Sequence, residues 1–311
     1  LTLNSTATSL QFGPSSFIGG NVTAVSPGLY FNGCTFSGTV NTTKTGTTND
    51  ASIGNNIFNG NTTITNAGAG YLVLGNGNAD QFNNAATFNN TGSNNIHVAY
   101  NSSNNVFGGV TTVNNATVGN TGIYVGAYSA GTKFNENIVV SSTGGQGVQF
   151  CIGNTTAAAT LASGKTISVG SAGFSAGTLL LKQSTQLGTT AQHFALTGTG
   201  RLTFGPSSAF GGTVTSTSPS LVFSGCTFND VVNSTKTGAT NDQSTGNNIF
   251  AGSSVFNNTG TGYLMMSISS ADIYKGNVSF IKSNTGFVYP NYNHSSTYAG
   301  DINISSATAV T

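Results

Sequence analysis

The segment Phe58-Asn-Gly-Asn-Thr-Thr-Ile-Thr-Asn-Ala-Gly-Ala-Gly-Tyr-Leu-Val-Leu74 shows the pattern from which the rest of the chain is built. Phe58, Thr62 and Ile64 alternate with polar neighbours, Asn66-Ala67-Gly68 interrupts them, and Leu72 and Leu74 alternate again. Alternation of period two between Asn and Gly breaks is the signature of short half-buried strands joined by turns. No stretch has the 3.6-residue period of a helix, so the pattern predicts strand, turn, strand, turn, strand. Following modules place Ala86 and Phe88, Thr111 and Val113, and Ile138 and Val140 on the same inward face. An aromatic marker paces them at Phe36, Phe58, Phe82, Phe107 and Phe134, with separations of 22, 24, 25 and 27 residues.

A second, longer period overlies the first. The sequence from Leu10 returns from Leu202 at an offset of 192, and 34 of the 51 residues from 10 to 60 are identical in 202–252. The same offset carries Cys34 to Cys226, Lys44 to Lys236, Asp50 to Asp242, Phe58 to Phe250, Tyr71 to Tyr263 and Asp80 to Asp272. Residues 10–201 form a first long unit and 202–311 a partial second copy, read in a gapless register. A module of about 24 residues has too little apolar surface to fold alone and must stack on its neighbours. The whole chain, 1–311, is therefore expected to be one continuous all-β solenoid, about 13 coils of about 24 residues. Ladders of Phe, Ile, Val and Leu would fill a narrow interior, and Asn and Gly would supply left-handed turn conformations.

Coil length, Asn/Gly turns and low charge together resemble the right-handed parallel β-helix, as in pectate-lyase-like enzymes and the repeat regions of large bacterial surface adhesins and filaments. The enzyme branch of that resemblance implies clustered carboxylates acting on polysaccharides. Here Asp50, Asp80, Glu136, Asp230, Asp242, Asp272 and Asp301 are scattered, and Arg201 is the only arginine. No catalytic, cofactor or metal constellation is expected. His97, His193 and His294 lack ligand spacing, and the three cysteines match no metal or disulfide framework.

Composition narrows the classes further. Only 5% of residues are charged, with 8 Lys and Arg against 7 Asp and Glu, where about 25% is usual. A nucleic-acid reader would need a basic surface that this chain lacks. No apolar run approaches the roughly 18 residues of a membrane span. A surface kept soluble by amides and hydroxyls points to an extracellular, secreted or cell-surface setting. Asn-X-Ser/Thr triplets, among them those at Asn101 and Asn154, are expected by chance at this composition. The chain starts at Leu1 without Met and stops at Ala309-Val310-Thr311 inside its second long unit. The expectation is a processed or excised piece that continues in further 192-residue units or stacks end to end on copies of itself.

Two sets of residues stand out as candidate contacts. Tyr30, Val73, His97, Tyr124, Gln149, Val222, Met265 and Tyr289 share one outward slot and would form a semi-apolar stripe, read either as a contact surface or as cross-coil stacking. Lys44 with Asp50, and Lys236 with Asp242, are read as weak surface pairs in protruding loops that could touch glycan or a neighbouring fibre. Asp80 and Asp272 are read as Asx turns rather than as Ca²⁺ or sugar ligands. The resulting expectation is a non-enzymatic rod in a bacterial adhesin or surface filament, with further copies or repeats as partners and possible contact with surface glycans. A polysaccharide lyase or hydrolase and a non-catalytic glycan-binding module are the alternatives.

Overall fold

The computed structural model describes residues 1–153 and 157–306, so the Asn154 triplet and the final residues 309–311 lie outside the described residues. The described residues form strands and turns without helix. Each coil contributes up to three strands, and each strand pairs in parallel with its counterpart one coil away. Three faces result. Face one carries strands of about five residues, such as Val22–Ser26, Val40–Lys44, Thr62–Asn66 and Ala86–Asn90. Face two carries Leu29–Phe31, Leu72–Val73, Ile96–Val98 and Gly122–Val125 among others. Face three is a single sheet of thirteen strands, most of two residues, from Phe17–Ile18 to Thr297–Tyr298. The architecture is the expected parallel solenoid of about thirteen coils.

Alternation sets the faces. In Thr62–Asn66 the first, third and fifth side chains are buried and the other two half-exposed, because successive side chains of a strand point to opposite sides. Inward positions stack on their own kind. Phe36, Phe58, Phe82, Phe107 and Phe134 form a column of near-parallel rings with centroids 5.1, 4.8, 5.1 and 4.8 Å apart. Phe210, Phe228, Phe250, Tyr274 and Tyr298 repeat it. The spacing matches the separation of neighbouring strands, so one ring per coil fills the interior without a gap. Cys34, Cys151 and Cys226 are buried and unpaired.

Coil length is far from constant. It is 18 residues from Val22 to Val40 and grows to 22 (Val40 to Thr62), 24, 25 and 27 before reaching 29 from Ile138 to Ile167. It falls back to 18 from Val214 to Val232, where the second long unit begins the same series. The two units are not in gapless register throughout. The coil from Phe82 to Phe107 has 25 residues and that from Tyr274 to Tyr298 has 24. Tyr292 N–H still bonds Met266 O as Tyr100 N–H bonds Leu74 O, but Ser296 takes the place of Asn105 in accepting an aspartate N–H, so one residue is missing between 292 and 296. A turn on the surface absorbs such a deletion because it leaves the strand pairing on either side intact.

The turn after face one shows why Asn and Gly recur. Asn66 Nδ2 donates to Gly70 O while Gly68 N–H donates to Asn66 Oδ1, closing the corner from inside. A Cβ on Gly68 would collide with the Gly46 carbonyl of the preceding coil. Truncation of an inward ladder ring tests the facing: Phe58→Ala should cost about 3–5 kcal/mol, read as a lower urea midpoint, whereas Thr63→Ala on the outer side of the same coil should change it little.

Candidate functional site

Face one and face two are each interrupted, and the charged residues of the sequence cluster at the interruptions. Face two breaks between Leu29–Phe31 and Asp50–Ala51, and again between Ser220–Phe223 and Asp242–Gln243; face one breaks between Ile167–Phe174 and Gln192–Ala195. At each break a side-chain oxygen replaces the missing backbone acceptor. Leu29 N–H donates to Asp50 Oδ2 at 2.8 Å, Leu221 N–H to Asp242 Oδ2 at 2.8 Å, and Ile167 N–H to Gln192 Oε1 at 2.7 Å. Ser52 and Ser244 hydroxyls receive the next inward amides, those of Phe31 and Phe223. On face two the break falls where an 18-residue coil meets a 22-residue one, as the turn out of face one lengthens from Pro27-Gly28 to residues 45–49.

This corrects the reading of Lys44, Asp50, Lys236 and Asp242 as protruding loop contacts. Lys44 and Asp50 are both 0% exposed. Lys44 stacks directly on Asn66 in the inward column of face one and, like that asparagine, donates to a turn carbonyl, Gly46 O at 2.8 Å. Its Nζ lies 3.8 Å from Asp50 Oδ2; Lys236 lies 3.6 Å from Asp242 and donates to Gly238 O at 2.7 Å. Burial pulls both lysines below their usual range, opposed by the neighbouring aspartate. The aspartate is required as a backbone acceptor, and the lysine keeps its charge from being isolated.

Asp80 and Asp272 serve a related purpose at the corner between faces two and three. Cys34 N–H donates to Asn56 Oδ1, Asn56 N–H to Asp80 Oδ1, and Asp80 N–H to Asn105 Oδ1, at 2.9 to 3.0 Å. The second unit repeats the chain through Cys226, Asn248, Asp272 and Ser296. Each carboxylate accepts from the coil before it, so the expected local Asx turn is instead a bond between coils. Burial pushes Asp80 up to about 6 against the pull of its Asn56 hydrogen bonds, and raises Asp272 in the same way.

The outward stripe is continuous in register but largely covered. Ala51, Val73, His97, Tyr124, Gln149, Leu180, Thr203 and Val222 follow one another on face two; Tyr30 lies before the first break, and Met265 and Tyr289 after the second. Val73, Tyr124, Val222 and Met265 are buried, and Tyr30, His97, Gln149 and Tyr289 half-buried. The expectation of a freely exposed stripe fails because turns at both edges rise beside the column: Tyr124, for example, is held by a hydrogen bond to Gln146 of the next turn.

Where the turns part, a cleft opens over the stripe. Ala51, Val73 and His97 form its floor, with Tyr71 on the edge towards face one and Tyr100 on the edge towards face three. The His97 ring stacks on Tyr124 at 4.9 Å and meets Tyr100 edge-on at 5.2 Å, and Tyr100 in turn meets Tyr128 at 5.7 Å. Left-handed backbone at Ala99 (φ 53°) and Asn101 (φ 48°) brackets Tyr100 and turns it back over the face. Desolvation lowers His97 to about 4, so the imidazole is neutral at ordinary pH. Tyr71, Tyr100, Asn76 and Asn101 were not singled out from the sequence as contacts, although the 192-residue offset pairs Tyr71 with Tyr263 and Tyr100 with Tyr292.

Among the described residues no three His, Cys, Asp or Glu side chains converge as a metal site. Comparison of the chain with protein-family models, curated proteins and solved structures returned no match.

Two outcomes are expected from the buried acids. Asp50→Ala strands the Leu29 amide and the Lys44 ammonium and should cost about 3–5 kcal/mol in a urea melt, while Asp50→Asn, which keeps an acceptor oxygen, should cost less. Asp80 titrates higher in the fold than in the unfolded chain, so the fold holds its proton more tightly. Its contribution is therefore greatest below about pH 4 and declines as pH rises through 6, by roughly 3 kcal/mol in all. Urea midpoints measured from pH 4 to 7 should fall across that window, and Asp80→Asn should flatten the fall.

Proposed function

We propose that the chain is a structural rod segment of an extracellular bacterial adhesin or surface filament, giving reach and a wall for contact with further copies or repeats. The observation that carries this reading is the use made of the acids. Asp50, Asp80, Asp242 and Asp272 each accept backbone N–H groups of an adjacent coil, Glu136 pairs with Lys165 at 2.7 Å, and Asp230 accepts from Thr213. Glycoside hydrolysis needs two carboxyl groups facing each other across a substrate, about 5–9.5 Å apart. Here the carboxylates are distributed as structural acceptors, one to a coil, which favours the rod over a polysaccharide-acting enzyme. A wall with 5% charged residues suits an extracellular surface that packs on similar surfaces.

Thirteen coils at about 4.8 Å give a rod of roughly 60 Å. Small-angle scattering should return an elongated particle of that length. Negative-stain imaging of the native protein should show stalks or filaments that adopt the same width. Discrete compact particles that cleave a polysaccharide would replace the rod with the enzyme.

A further inference from the structure

The cleft over face two is the one outward feature retained where the two long units have otherwise diverged. From 61 to 103, only 11 of 43 residues are identical in 253–295, and most of those, such as Asn66, Gly68, Leu72, Asp80 and Phe88, point inward or close turns. Tyr71, Tyr100 and Asn101 are also retained, as Tyr263, Tyr292 and Asn293, although Val73, Asn76 and His97 between them have become Met265, Ile268 and Tyr289. The geometry is retained with them. Tyr292 meets Tyr289 edge-on at 72°, the angle at which Tyr100 meets His97, with centroids 5.8 and 5.2 Å apart. In the second unit the aromatic surface is more open: Tyr263 is 36% and Tyr292 50% exposed, with Phe287 beside them under Lys282.

An inward ring is explained by packing. Aromatic rings standing at the rim of an outward cleft, on a surface otherwise made of amides and hydroxyls, offer flat apolar faces to a ligand. Asn76 and Asn101 add amide groups whose side chains make no hydrogen bond within the protein, and the Nδ1 of His97 has no partner either. No carboxylate, ammonium or guanidinium lines the first cleft. A ligand that fits must present an apolar face to the rings and a neutral rim of donors and acceptors to the amides. Pyranoses with equatorial hydroxyls do so: their axial C–H groups make the apolar face and their hydroxyls the rim.

We propose that the cleft between Tyr71 and Tyr100 binds a neutral oligosaccharide of β-linked equatorial pyranoses, with the Tyr263–Tyr292 surface as a second contact on the same face. The two lie eight coils apart, about 38 Å at the strand spacing, so a long polysaccharide laid along the rod reaches both and gains from the second contact by effective concentration. This goes beyond the rod itself and does not depend on rods associating.

The test is calorimetric titration of the monomeric protein with three probes: β-1,4-linked glucose hexamer, β-1,4-linked N-acetylglucosamine hexamer and an oligogalacturonate of equal length. Binding of at least one neutral hexamer and not of the acidic one is expected, with affinity flat from pH 5.5 to 8 because His97 stays neutral. Tyr71→Ala with Tyr100→Ala should weaken it at least tenfold, Tyr71→Phe with Tyr100→Phe should retain most of it, and far-UV circular dichroism should be the same for all three proteins. Failure of both neutral hexamers to bind, a preference for the acidic probe, or binding untouched by the double alanine variant would overturn the proposal. So would a double variant that changes sedimentation of the protein without changing sugar binding, which would make the rings a self-contact. Scattering length reads the rod independently of each of these outcomes.

Discussion

The structure depends on one constraint: every backbone N–H of a coil must find an acceptor in the coil beside it. A strand on a regular face meets the requirement with the carbonyls of its neighbour. At corners, and wherever adjacent coils differ in length, the carbonyls fall out of line, and a buried amide left without an acceptor costs about 1–3 kcal/mol. The chain supplies side-chain oxygens at those places. Asn56, Asp80 and Asn105 do so along one corner, and Asp50, Asp242 and Gln192 do so at the three breaks in the sheets.

That device explains how coils of 18 to 29 residues coexist in one rod. A solenoid of identical coils would need no splices. This one widens over several coils and narrows abruptly, and each restart of the series from an 18-residue coil coincides with an aspartate placed where neighbouring coils hold leucine: Asp50 lies between Leu29 and Leu72, and Asp242 between Leu221 and Leu264. Putting a carboxylate into a hydrophobic column is unfavourable unless it is fully hydrogen-bonded and neutralised. Lys44 and Lys236, stacked in the adjacent asparagine column, meet that second condition. The charged residues of this charge-poor protein are thus concentrated where its regularity fails.

The same variation in coil length shapes the outer surface. Turns of unequal length stand beside face two, covering Tyr124 and Val222 but leaving an opening between Tyr71 and Tyr100. A rod with constant coils would present a uniform wall. Here the long repeat returns an aromatic rim every eight coils, so a periodic binding surface and a mechanical role are compatible in one chain.

Local rules made the solenoid legible in the sequence. Period two assigns Phe58, Ile64 and Leu72 to the interior because a strand's side chains alternate whatever surrounds it, and Asn-x-Gly marks corners because left-handed backbone is a property of those residues themselves. The inward ladders and the 192-residue repeat follow from the residues alone. The places of Lys44, Asp50, Asp80 and the outward stripe do not. A lysine and an aspartate five or six residues apart in a polar turn look like a solvated pair; that they face inward depends on the preceding coil being four residues shorter, which leaves the Leu29 amide without a carbonyl. Tyr124 is outward by alternation yet buried, because its exposure is set by the neighbouring turn that carries Gln146. Alternation decides which side of a strand a residue occupies, but only the relative lengths of stacked coils decide what lies on that side.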